Sequence, residues 1–112
     1  MGKYIYNTTF VVAKEREQRF IDWFRLRAAC IAEAGMRPRL SRLAGALAAE
    51  SEAQSLAFQV ESDSEEALQE WAHESLEPVL SQFMRDFGPD AAYFCSEFEA
   101  VSLDAGIGAM PL

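Results

Sequence analysis

The sequence predicts an α+β domain, a four-stranded antiparallel sheet with two helices on one face. Three observations carry that expectation. Two segments space large apolar residues at helical intervals, four segments have strand-like composition or alternation, and their order is βαββαβ. With short links and right-handed crossovers, that order folds in this one way. The 112 residues make a single domain, expected over residues 1–103, with a loose tail over 104–112. A chain of this size buries roughly two thirds of its unfolded surface, so it needs neither disulfides nor metal to fold.

The first strand is expected over residues 3–13, where Tyr4, Tyr6, Thr8, Phe10 and Val12 share one face. The first helix follows over about 14–34, with Phe20, Trp23, Phe24, Arg27, Ala28 and Ile31 in one stripe. Gly35 suits a left-handed position just past that helix, and Pro38 cannot continue it. A second strand is expected near 37–47, then an alanine-rich turn from Ala48 to Ala53. The third strand, about 54–61, alternates Leu56, Phe58 and Val60 with Ala57, Gln59 and Glu61. Ser62 with Glu65, or Asp63 with Glu66, reads as a capping box for the second helix. Leu68, Trp71, Ala72, Leu76, Val79, Leu80, Phe83 and Phe87 then keep helical spacing. Pro78 lies inside that pattern and predicts a kink or break around Ser75–Glu77. Gly88 and Pro89 close the helix, and a last strand is expected over about 91–102.

Composition excludes several classes. Half the residues are hydrophobic and a quarter charged, so the chain is neither disordered nor membrane-embedded. A net charge of −8 argues against nucleic acid and anionic membranes as partners. The charge is unevenly spread. Residues 14–42 hold eight basic and four acidic side chains, and residues 50–104 hold fourteen acidic ones against Arg85 alone. Two solvated helix faces of opposite sign, or a self-complementary dimer, would produce that asymmetry. Cys30, Cys95 and His73 have no metal-ligand spacing, and no cofactor is expected. Two unpaired cysteines behind an N-terminus without a signal-peptide core fit reduced, structural thiols in the cytoplasm.

The sheet face away from the helices poses a problem. If Tyr6, Phe10, Leu56, Phe58, Phe94 and Phe98 face the helices, the other face carries Ile5, Asn7, Thr9, Val11, Ala57, Gln59, Tyr93, Cys95 and Glu97. That set is too apolar for water and too polar for a plain core. Packing two such faces together in a twofold homodimer would resolve it. Ile5-Tyr6-Asn7-Thr8-Thr9, Trp23, Gly35, Leu40-Ser41-Arg42-Leu43, Gln59, Pro78 and Phe87-Gly88 carry a resemblance over about residues 3–101. The chain resembles a bacterial family of unknown function within the dimeric α/β-barrel superfamily of ferredoxin-like folds. It departs from that family where a histidine is expected before the helix proline, for Leu76 and Glu77 stand there. The resemblance implies a fold and a dimer, and no reaction.

The candidate ligand-binding residues are Asn7, Gln59, Tyr93 and Glu97, expected to leave one sheet face together. Asn7 and Gln59 would either orient a small apolar ligand or hydrogen-bond each other. Glu97 would serve as a base if burial raised its carboxyl. Cys95 is expected to be a small buried residue, His73 a solvated helix residue, and Trp23 and Trp71 parts of the core. Two function classes remain. One is a non-catalytic dimeric module that binds a small molecule or a partner. The other is a cofactor-independent enzyme, a small oxygenase or isomerase acting on an apolar substrate.

Overall fold

In this computed structural model, which describes residues 3–33 and 35–103, ten elements follow one another. They are β1 (Tyr4–Ala13), a 3-10 turn (Lys14–Arg16), α1 (Glu17–Ile31), β2 (Arg39–Arg42) and α2 (Ala46–Glu50). Then come β3 (Ala53–Ser62), α3 (Glu65–Trp71), a π-helical turn (Ala72–Leu76), α4 (Glu77–Phe87) and β4 (Ala92–Glu99). The strands form one sheet in the order β2-β3-β1-β4, and every neighbouring pair is antiparallel. This is the expected α+β architecture. The tail expected over 104–112 lies outside the described residues.

The core lies between the sheet and the two long helical segments. β1 and β3, richest in β-branched and aromatic residues, pair along their whole length and turn their even-numbered side chains toward the helices. Phe10 is fully buried, with ring centroids 5.0, 5.1 and 4.9 Å from Phe20, Phe24 and Phe83. Tilted and edge-on contacts of this kind add to the burial of large rings. Trp71 is also buried, while Trp23 packs at the margin and donates its indole N–H to Asp86 at 2.8 Å.

Several boundaries differ from expectation for local reasons. α1 stops at Ile31, not near residue 34, because Ala32 is already extended. Trp71 Nε1 donates to the Ile31 carbonyl at 2.7 Å, so a side chain from the second helix satisfies that helix end. Gly35 does adopt a positive φ of 89°, but in the turn into β2. β2 is four residues long, for the alanine-rich stretch beyond it forms the short α2. Lys14 holds α2 in place, its Nζ donating to the Ala49 carbonyl at 3.0 Å. The helix cap is Ser64, whose Oγ accepts from the Ala67 N–H at 3.1 Å, and not Ser62 or Asp63.

Pro78 produces a π-helical turn without ending the helix. A proline at this position lacks the N–H that would reach the Glu74 carbonyl, and its ring would collide with that carbonyl. The chain widens just ahead of it, and the Glu77 N–H reaches back five residues to the Ala72 carbonyl. At the far end, a Cβ on Gly88 would lie 2.6 Å from the Met84 carbonyl oxygen. Close approach, not a left-handed backbone, makes glycine necessary there.

β4 corrects the expected facing of a whole strand. Its register against β1 pairs Phe10 with Tyr93, Thr8 with Cys95 and Tyr6 with Glu97. Tyr93, Cys95 and Glu97 therefore face the helix side, and Phe94 and Phe98 face the open side. A shift of one residue reverses every side chain in a strand. Hydrophobicity misleads here because β4 is an edge strand with little helix above it, and residues 93–99 are exposed whichever way they point.

Candidate functional site

The four residues expected to share a site divide between the two sheet faces. Asn7 and Gln59 lie on the open face, opposite each other on β1 and β3. Arg39 Nη2 donates to Gln59 Oε1 at 2.5 Å, Gln59 Nε2 to Asn7 Oδ1 at 3.2 Å, and Asn7 Nδ2 to Thr9 Oγ1 at 3.0 Å. This chain of donors runs in one direction across three strands. The two amides hydrogen-bond each other, the second of the roles expected of them. Apolar residues flank the chain: Ile5 and Val11 are half-buried, while Phe94 and Phe98 are 62% and 51% exposed. At the edge of this face Glu61 Oε2 is buried with no hydrogen-bond partner, beside a hollow of about 170 Å³ shared with Arg37 and Arg39.

Glu97 belongs to a second site on the helix side. The π-helical turn and β4 enclose a cleft of about 330 Å³ that includes Tyr6, His73, Glu77, Cys95 and Glu97. Burial, then the neighbouring Cys95, Glu97 and Glu77, push the Tyr6 phenol up to about 12, so it stays a hydrogen-bond donor across the ordinary pH range. Gln69 Nε2 donates to Glu97 Oε2 at 3.3 Å, and His73 Nδ1 pairs with Glu77 Oε2. His73 is solvated as expected. Cys95 is exposed, not buried, with its sulfur 3.8 Å from the hydroxyl of the buried Thr8. Glu97 is exposed too, so the burial its role as a base required is missing. Tyr93 stands on the same side of β4, outside the residues that line the cleft.

A third hollow, of about 480 Å³, lies between the C-terminal half of α1 and β2. Sequence reasoning missed it. The signal was present in Ala28, Ala29 and Ala32, whose methyl groups cannot fill the space facing Leu40 and Pro38. Arg42 lies at this hollow and pairs through Nε with Glu17 Oε2. Among the described residues no group of three or more ligating side chains is placed to hold a metal ion. No helix among them is long and apolar enough to cross a membrane.

The family described as Domain of unknown function (DUF4286) matches residues 3–101. The chain belongs to this family. None of the curated proteins matches it. Among solved structures, the DUF4286 chain is similar to the de novo designed protein Foldit4, at 8% identity and a TM-score of 0.61, covering 88% of this chain and 98% of that one. It is also similar to a variant of SnoaB, a cofactor-independent oxygenase from Streptomyces nogalater. That match has 13% identity, a TM-score of 0.59, and coverage of 90% and 97%. A dimeric ferredoxin-like protein from an uncultured marine organism matches at 17% identity and a TM-score of 0.59, covering 91% and 98%. These likenesses establish the DUF4286 chain as a ferredoxin-like α+β fold, and at such low identity they extend no further.

Proposed function

We propose that this chain is a non-catalytic homodimeric module that binds a small molecule, its two sheets packed open face to open face. The exposure of Phe94 and Phe98 beside a satisfied polar chain carries this reading. Monomeric proteins rarely leave such a patch in water, and a twofold partner offers the same surface in return. The unpartnered Glu61 oxygen at the edge of that face, and the dimeric ferredoxin-like neighbour, support it. Light scattering at micromolar concentration should give about twice the 12.5 kDa chain mass, and a monomer would overturn the dimer. Free Cys30 and Cys95 fit a cytoplasmic setting, and thiol titration of the denatured chain without reductant should find both.

The grouping of Tyr6, Cys95, Glu97 and the His73–Glu77 pair favours a second reading, a cofactor-independent enzyme acting on an apolar substrate. In that reading an apolar substrate seated over the cleft supplies the burial that Glu97 lacks in the free chain. Glu97 then takes a proton and the Tyr6 phenol donates a hydrogen bond to the developing anion. Oxygen uptake or isomerisation across a panel of small apolar substrates, abolished by Glu97→Gln, is its expected mark. A panel without turnover leaves the binding reading.

A further inference from the structure

The hollow between α1 and β2 has a floor and a mouth of different chemistry. Phe24, Leu56 and Phe58 form the floor, and the methyl groups of α1 and the Leu40 side chain form the walls. The volume of about 480 Å³ is in the range of small-molecule sites. Its charged lining is entirely basic. Arg39 gives its guanidinium to Gln59, and among the described residues Arg25 is held only by a solvated pair with Asp22, 3.7 Å apart. Arg42 differs from both. Glu17, a mostly buried carboxylate, engages its Nε and fixes its direction, and among the described residues the two terminal amino groups of the guanidinium have no partner. A planar carboxylate suits that remaining fork.

We propose that this hollow binds a small apolar molecule carrying a carboxylate, its hydrocarbon part against Leu40 and the α1 alanines and its carboxylate on Arg42. The biological meaning rests on the small-molecule-binding reading above, but the site lies on the helix side and does not depend on the dimer. An apolar amine is disfavoured by the basic mouth, and a neutral apolar ligand leaves the fork to water.

Decanoate is a suitable probe, with decanol as its uncharged match. Titrated into the full chain and followed by NMR, decanoate should shift the Ala28, Ala29 and Ala32 methyl signals to saturation. Decanol should bind about tenfold more weakly, the loss expected for one charge-assisted contact. Arg42→Gln should weaken decanoate about tenfold and leave decanol unchanged. Glu17→Gln should tighten decanoate, because it removes a negative charge beside the bound carboxylate while the amide oxygen can still accept from Arg42 Nε. A purely structural role for the Arg42–Glu17 pair would move both variants in the same direction. Ala29→Leu should narrow the hollow and weaken both probes alike. Equal binding of the two probes, shifts confined to the Phe94 and Phe98 face, or same-direction changes in the two charge variants would overturn the proposal. Light scattering on the same samples separates the failures, for a dimer that ignores decanoate overturns this site alone.

Discussion

The two faces of one sheet use the same residue types for opposite ends. On the helix side Phe10, Leu56, Phe58 and Val60 are buried in contact with other rings and aliphatic chains. On the open side Phe94 and Phe98 stand exposed next to an ordered row of amides. Both faces are apolar, and burial within the chain separates them. β1 and β3 sit at the sheet centre, where helices cover one side and the alternation decides which residues go in. β4 sits at the edge, where the helix layer has thinned. Its inward positions hold Tyr93, Cys95 and Glu97, while its two phenylalanines lie on the surface that the chain itself does not cover.

That contrast can be broken by mutation. Phe10→Ala should destabilise by about 3–5 kcal/mol in urea unfolding, as a large buried ring is replaced by a cavity. A loss below about 1 kcal/mol would mean the helix side is no better packed than an ordinary surface. The double change Phe94→Asp and Phe98→Asp should leave the far-UV circular dichroism spectrum intact. It should weaken association by about 2 kcal/mol or more per ring, seen as a monomer in sedimentation. Loss of the fold instead would show that these rings serve the core. Ser64→Ala should cost about 1 kcal/mol through the lost helix cap, with no change in oligomeric state. The smallest effect is a titration. In the folded chain the Tyr6 phenol holds its proton up to about 12, against 10.0 without burial and its neighbours. The folded state thus binds more protons between those values. Its contribution to stability is complete below about pH 10 and falls as pH rises through about 12. Ultraviolet titration should show one late tyrosine, and Tyr6→Phe should remove it.

Much of the fold could be read from the residues. Strand alternation in β1 and β3, the stripe from Leu68 to Phe87 and the stopping residues around both helices led to the observed order. The misses at the end of α1, in β4 and at the hollow share one cause, which is that the deciding partner lies far away in sequence. Trp71 ends α1 at Ile31, and nothing near Ile31 announces it. The facing of β4 depends on its ladder with β1, so Phe94 and Phe98 looked like core residues. The candidate site suffered most, since it combined two central strands read correctly with an edge strand read in the wrong phase. Asn7 and Gln59 pair on the face their alternation predicts, and Tyr93 and Glu97 lie on the face opposite to the one predicted. The hollow beside Arg42 was written as missing volume, which three alanines indicate only once β2 is in place opposite them.

The π-helical turn also keeps the second helix in phase with the sheet. Leu68, Ala72, Leu76 and Leu80 recur every four residues and all are buried. In a regular α-helix each such step overshoots a full turn by about 40°, so the row would wind off the core within a few steps. The wider turn over Ala72–Leu76 advances less per residue and takes back part of that drift. Removing one residue from it would restore regular pitch, and the lost residue and the lost widening would largely cancel in rotation. Val79, Phe83 and Phe87 would keep their facing toward Phe10 and Phe20, but the proline that opened the turn would be left in an unbroken helix that has no room for it.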